Sequence, residues 1–100
     1  MTEHPEKHRL AAAKALEVTL YTRPGCHLCE EAKAVIEPLL VEFGAKLCEV
    51  NIAGDAALEE QFGLDIPVVF VGSRKAAKHR VEREQFRRQM REAREKCEGS

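Results

Sequence analysis

Between Val18 and Ile52 the spacing of apolar residues changes period twice, and this switch limits the fold more than any other feature of the chain. Val18-Thr-Leu-Tyr-Thr22 alternates and is rich in β-branched residues, the pattern of a half-buried strand. It stops at Arg23-Pro24-Gly25, where Pro and Gly cannot continue a ladder. Beyond Cys26 the apolar residues are Ala32, Val35, Ile36, Leu39, Leu40 and Phe43. They recur at +3, +4, +7, +8 and +11, the stripe of an amphipathic helix that ends at Gly44. Lys46-Leu-Cys-Glu-Val-Asn-Ile52 returns to alternation, with Leu47 and Glu49 on one face and Cys48, Val50 and Ile52 on the other. A helix of this length between two strands makes a right-handed crossover, so the second strand is predicted parallel to the first. Pro38 falls inside the helix, where its missing N–H and its ring predict a kink or local unwinding around Ala34, but the apolar periodicity continues through it, so one bent helix is expected.

The remaining elements follow by the same reading. Gly54-Asp55 predicts a cap for a short helix over residues 56–62, closed by Gly63. Residues 66–71 read as a third strand stopped by Gly72-Ser73, and residues 76–81 as an edge strand in a hairpin across Gly72-Ser-Arg-Lys75. A charged final helix over 82–96 packs through Phe86, Met90, Ala93 and Cys97. The order is β-α-β-α-β-β-α, an α/β fold. One hundred residues hold a single domain. It is expected over 17–100, with residues 1–16 as a helical or mobile N-terminal extension.

Hydrophobic residues at 44% and charged residues at 33% fill and cover one core, unlike a disordered tail. Aromatics at 5% and no Trp leave no platform of stacking rings, which argues against a nucleic-acid partner. The apolar stretch from Leu10 to Leu16 is broken by Lys14 and is too short for a membrane span or an export signal. A cytoplasmic protein with no membrane partner is expected. The net charge of −1 hides a dipolar chain: residues 1–65 carry 6 Lys/Arg against 12 Asp/Glu, and residues 66–100 carry 10 against 5. Glu82, Glu84 and Glu92 interrupt the basic run between Arg74 and Arg94, which reads as a solvated helix surface.

The cytosol keeps thiols reduced, so the spacing of the four cysteines matters more than their number. Cys26-His27-Leu28-Cys29 falls between a strand-ending turn and a helix start. There the first sulfur meets free N–H groups and the positive end of the helix dipole, which favour thiolate over thiol. Cys29, within the first helical turn, can attack a mixed disulfide formed on Cys26. Cys26 is therefore the expected nucleophile and Cys29 the resolving thiol. A structural zinc site would need two more ligands, and Cys48 and Cys97 lie in no second CxxC, so no metal is assigned. Cys48 is expected as a small buried strand residue and Cys97 as a tail thiol. His27, beside the nucleophile, either stabilises the thiolate when protonated or points into solvent. Tyr21 either edges the site or packs in the sheet.

The segment Val18-Thr-Leu-Tyr-Thr-Arg-Pro-Gly-Cys-His-Leu-Cys29 resembles the start of a glutaredoxin, and Asp65-Ile-Pro-Val-Val-Phe-Val-Gly72 resembles that family's segment around a cis-proline. The resemblance covers residues 17–90 and is to small glutaredoxin-like proteins of the thioredoxin superfamily. It implies a four-stranded mixed sheet flanked by helices. It further implies a cis Ile66–Pro67 bond, with Pro67 against the Cys26 sulfur and the Ile66 backbone pairing with an extended substrate. Arg23 stands where the family commonly carries a Lys that reaches a glutathione carboxylate; its other reading is a solvated charge. The implied activity is thiol–disulfide exchange on protein disulfides or glutathionylated thiols. Glutathione is a co-substrate on this reading, and no cofactor is required. Two departures bear on this. The family's Gly-Gly pair and following acid are replaced by Ala76-Ala-Lys-His-Arg-Val-Glu82, where Lys78 repels the glutathione ammonium, and Pro-Tyr inside the CxxC is replaced by His27-Leu28. The alternatives are a non-catalytic thioredoxin-fold binding module and a carrier of a bridged [2Fe–2S] cluster.

Overall fold

The strand β1 (Glu17–Thr22) lies inside the sheet with a partner on each edge. β2 (Lys46–Asn51) pairs with it in parallel and β3 (Val68–Val71) antiparallel, and β4 (Arg74–Lys78) extends the sheet from β3, giving the order β2-β1-β3-β4. Three helices complete the order expected from periodicity: α1 (His27–Phe43), α2 (Ala56–Phe62) and α3 (Arg83–Gly99). This computed structural model describes residues 16–99, with side chains through residue 96. The expected N-terminal extension lies outside the described residues except for Leu16, which is 3% exposed and belongs to the core. The side chain of Cys97 is outside them too.

Alternation along the strands builds two apolar layers. Val18 and Leu20 of β1 and Val69 and Val71 of β3 face Ile36, Leu39 and Phe43 of α1 and Phe86 and Met90 of α3. The opposite faces carry Val68 with Ile52 and Phe62, joined by Tyr21, Ile66 and Phe70. Apolar residues on both faces explain why Val68 and Val69 are adjacent in sequence and both fully buried. α3 is also tied to the end of α1: Arg87 pairs with Glu42 at 2.9 Å, and Arg94 donates to the Phe43 carbonyl while lying 5.4 Å from that ring's centroid. The Phe43 carbonyl is one of those a helix C-terminus leaves without an internal partner, and a guanidinium suits the negative end of the dipole.

Two expectations need correction and one holds: the apolar stripe continues past Pro38, and α1 runs through it as a single helix although Pro38 cannot donate to the Ala34 carbonyl. Both residues are exposed, so the Ala34 carbonyl that loses its helical donor can face water. The edge strand is Arg74–Lys78, not residues 76–81, because the turn is only Gly72-Ser73. Gly72 at φ 63 supplies the left-handed first position that two-residue hairpin turns favour. His79 at φ 68 ends the strand, and its N–H donates to the Pro67 carbonyl at 2.8 Å. Cys48 is exposed rather than buried. It lies on an edge strand, and the seven-residue α2 packs over Ile52, further along β2's face, rather than over Cys48.

Phe86 is 1% exposed where α3 meets the sheet. Phe86→Ala is expected to cost about 3–5 kcal/mol, the transfer loss plus the cavity left behind, read as a lower urea midpoint with an unchanged slope.

Candidate active site

The turn after β1 delivers Cys26 to the mouth of α1. The Cys26 N–H bonds the Arg23 carbonyl at 3.2 Å, and Gly25 at φ 78 takes the left-handed position that closes this turn. Cys26 is the N-cap residue, with extended backbone (φ −86, ψ 112). Its Sγ accepts the Cys29 N–H at 3.1 Å, in the place where Ser, Thr or Asp usually satisfies an orphan helix donor. The spacing of the motif thus makes one cysteine the cap and the other the donor to it.

The two thiols occupy different surroundings. Cys26 is partly exposed, whereas Cys29 is 3% exposed beneath it. Burial pushes the Cys29 thiol up from its ordinary range, and its hydrogen bond with Cys26 adds to this; the Thr22 side chain and the Arg23 backbone pull in the other direction. Both cysteines open into a cleft of about 630 Å³ between α1 and β2, which is also lined by Arg23, Lys33 and Glu49.

The other residues singled out from sequence take separate places. Arg23 is engaged by Glu59 of α2 at 2.5 Å, so it is not a free cation. The antiparallel register puts Val68 opposite Tyr21, which brings Ile66 and Pro67 to the end of the sheet where Cys26 begins α1. The Ile66–Pro67 peptide bond is cis, and Pro67 is fully buried. Among the described residues the Ile66 amide and carbonyl have no hydrogen-bond partner. His27 is the exposed first residue of α1. Tyr21 is committed to the second apolar layer, stacked on Phe62 at 4.3 Å and edge-on to Phe70 at 5.8 Å. Lys78 stands opposite Val68 on β4 with Asp65 at 4.0 Å. Neither Tyr21 nor Lys78 lines the cleft of the two thiols. Glu82 caps α3 by accepting the Gln85 N–H at 2.9 Å.

Sequence reasoning missed the ion pair between Lys33 and Glu49, 3.2 Å apart in the same cleft. Its signal was there: Glu49 shares the face of Leu47, which turns toward α1, and Lys33 follows Cys29 by four residues on one helix face. Among the described residues no group of three or more His, Cys, Asp or Glu is placed to hold a metal ion, and no helix is long and apolar enough to cross a membrane.

A four-stranded mixed sheet whose crossover helix begins at a Cys-x-x-Cys defines a protein of the thioredoxin-like class. Within it the chain belongs to the glutaredoxin-like family, since the Glutaredoxin-like domain (DUF836) matches residues 17–91. A curated relative, the glutaredoxin-like protein YDR286C homolog of Dictyostelium discoideum, is 27% identical over 79 residues, 73% of each chain. The X-ray structure of target protein XcR50 from X. campestris is 31% identical with a TM-score of 0.64, covering 75% of this chain and 96% of that one. Thioredoxin-2 of the malaria parasite, 15% identical, has the same fold with a TM-score of 0.60, over 78% of this chain and 82% of its own.

Two outcomes follow from this geometry. With rising pH, iodoacetamide labels the accessible thiols before Cys29, whose buried thiol form persists above its ordinary range, as peptide mass mapping will show. Cys26→Ser keeps a hydroxyl that caps better than sulfur, so its thermal midpoint is expected to equal or exceed that of the reduced wild type.

Proposed function

We propose that the protein is a thiol–disulfide oxidoreductase that reduces protein disulfides or glutathionylated thiols. The observation that supports this best is the asymmetry of the dithiol: Cys26 is a partly exposed N-cap that accepts an N–H, and Cys29 is buried one turn in with its thiol form favoured. Donors aimed at a sulfur favour it when it carries charge. The Cys26 thiolate attacks one sulfur of the substrate disulfide and expels the other as a thiolate. Cys29 then loses its proton and attacks Cys26 Sγ, releasing the second substrate thiolate and closing the Cys26–Cys29 bond. The exchange uses no metal or organic cofactor. It suits a reducing compartment such as the cytoplasm, with glutathione as the co-substrate that reopens the disulfide.

Substrate is proposed to lie along Ile66, whose unpaired amide and carbonyl can add a short strand beside Cys26. The usual reader of the glutathione ammonium is missing, because Glu82 is spent on the α3 cap and Lys78 and Arg80 bring positive charge to that segment. Arg23 can meet a substrate carboxylate only in competition with Glu59. These features favour a protein disulfide over glutathione in its family pose.

The test uses reduced wild type, Cys26→Ser and Cys29→Ser in two assays: dithiothreitol-driven reduction of insulin, and turnover of a glutathione mixed disulfide coupled to glutathione reductase. Wild type is expected to accelerate insulin reduction. Cys26→Ser should fall to the blank in both assays, and Cys29→Ser should accumulate a substrate adduct on Cys26 visible by mass. A wild type at the blank in both assays, with Cys26 unmodified by either substrate, points to the non-catalytic binding module instead.

A further inference from the structure

The ladder between β3 and β4 ends with Lys78 opposite Val68, before it reaches Ile66. Beyond it His79 enters the left-handed region at φ 68, where glycine is the easy residue and a side chain adds strain. Its N–H donates to the Pro67 carbonyl at 2.8 Å and to the Asp65 carbonyl at 3.2 Å, and its ring Nε2 lies 3.0 Å from the Leu64 carbonyl. A carbonyl only accepts, so Nε2 carries the proton, in the neutral Nε2–H tautomer and in the imidazolium alike. His79 thus holds the carbonyls of Leu64, Asp65 and Pro67, and the amide and carbonyl of Ile66 among them are left open. Leu64 is 95% exposed, so its side chain gives this segment no apolar anchor. The Asp65 carboxylate, 3.8 Å from the ring and 4.0 Å from the Lys78 ammonium, is drawn to the same side.

We propose that His79 is a positioning residue for substrate: its ring N–H fixes the Leu64 carbonyl, and with it the direction in which Ile66 presents its amide and carbonyl to an added strand. This rests on the strand pairing at Ile66 proposed above. A substrate strand gains fully from backbone hydrogen bonds only where the groups that make them are already aimed, because ordering them on binding offsets part of the gain. The contacts to the Asp65 and Pro67 carbonyls use only the main chain of residue 79, and a glycine would make them with less strain. The contact to Leu64 is what the imidazole adds. The His79 side chain is half exposed, so core packing does not demand it, and it does not line the cleft of the two thiols. It acts through Ile66 and not on the reacting sulfurs.

The test uses two mixed disulfides of thionitrobenzoate, one with 2-mercaptoethanol, which has no peptide backbone, and one with the cysteine of a short, uncharged, extended peptide. Cys29→Ser, Cys48→Ser and Cys97→Ser leave Cys26 as the one thiol of the parent protein. In both reactions the Cys26 thiolate bonds the sulfur of the mercaptoethanol or peptide half, and thionitrobenzoate leaves as a thiolate. The ratio of the two rate constants, divided by the same ratio for dithiothreitol, reads the preference for a peptide. The parent is expected to prefer the peptide, and His79→Gly to lower that preference by about fivefold or more. The urea midpoint of His79→Gly should stay near the parent's, since glycine relieves the left-handed backbone as the ring's hydrogen bond is lost. His79→Gln, whose amide carries an N–H to a similar reach, should recover part of the preference. Parental preference in His79→Gly overturns the proposal, as does an equal loss in the Gly and Gln variants. A loss that follows a falling urea midpoint in both variants assigns the effect to the stability of the fold and also overturns it. A parent with no preference for the peptide overturns it together with strand pairing at Ile66, and a Cys26 that releases thionitrobenzoate from neither disulfide overturns the thiol exchange beneath both, so the three failures are distinct.

Discussion

The parallel pairing of β1 with β2, from Glu17 opposite Lys46 to Thr22 opposite Asn51, obliges the chain to return to its starting end between the two strands. α1 is that return, so it must begin where β1 finishes. Cys26 therefore stands at a strand end and a helix start for the same topological reason, and the free N–H groups of the helix come with the position. β3 runs the other way beside β1 and enters from that same end, which is how a segment 41 positions later in the chain arrives there. The central strand carries this arrangement because it is anchored on both edges and its inward residues, Val18 and Leu20, are fully buried. Site geometry is inherited from the sheet and completed by the short turn before Cys26.

One helical turn then gives two like residues unlike chemistry. The cap position is half outside the helix and open to a partner, while the third helical position is folded under it and faces the sheet. Sulfur is a weaker acceptor than the oxygens that usually cap helices, so Cys26 gives up some capping strength and places a thiol at the positive end of the dipole. The hydrogen bond from the Cys29 amide to Cys26 Sγ links the two, so the buried cysteine also orients the partly exposed one through its backbone.

The periodic elements were legible because burial enforces period: a strand with one face in the core must alternate, and a crossover helix must carry a stripe. The dithiol was legible because turn, cysteine and helix start are contiguous in sequence. Short-range geometry was less so. The hairpin was placed two residues late because Arg74 and Lys75 look like turn residues, while the turn needs only the left-handed freedom of Gly72. Cys48 was misjudged because alternation shows which face a residue takes but not whether anything covers that face. The partners of Arg23 and Lys33 lie 36 and 16 residues away; the pattern puts Lys33 and Glu49 on facing sides, but which residues meet depends on the folded register.

The charge split of the chain, acidic first and basic last, becomes in the fold a matter of joining α3 to α1. Arg87 reaches Glu42 and Arg94 reaches the Phe43 carbonyl, so two cations of the C-terminal run are spent inside the molecule. Arg94 also covers the Phe43 ring, where a guanidinium gains from the π-face. What α3 leaves exposed is mixed: Arg83, Arg88 and Arg91 alternate with Glu84, Glu92 and Glu95. A docking face for an acidic partner needs one sign of charge over a continuous area, because complementarity comes from the summed field rather than from single residues. Exposed pairs of opposite sign cancel that field and are each worth about 0–1 kcal/mol. The exposed charge of α3 is thus mixed in sign, and the asymmetric surroundings of Cys26 and Cys29 remain the feature of this surface that packing alone does not require.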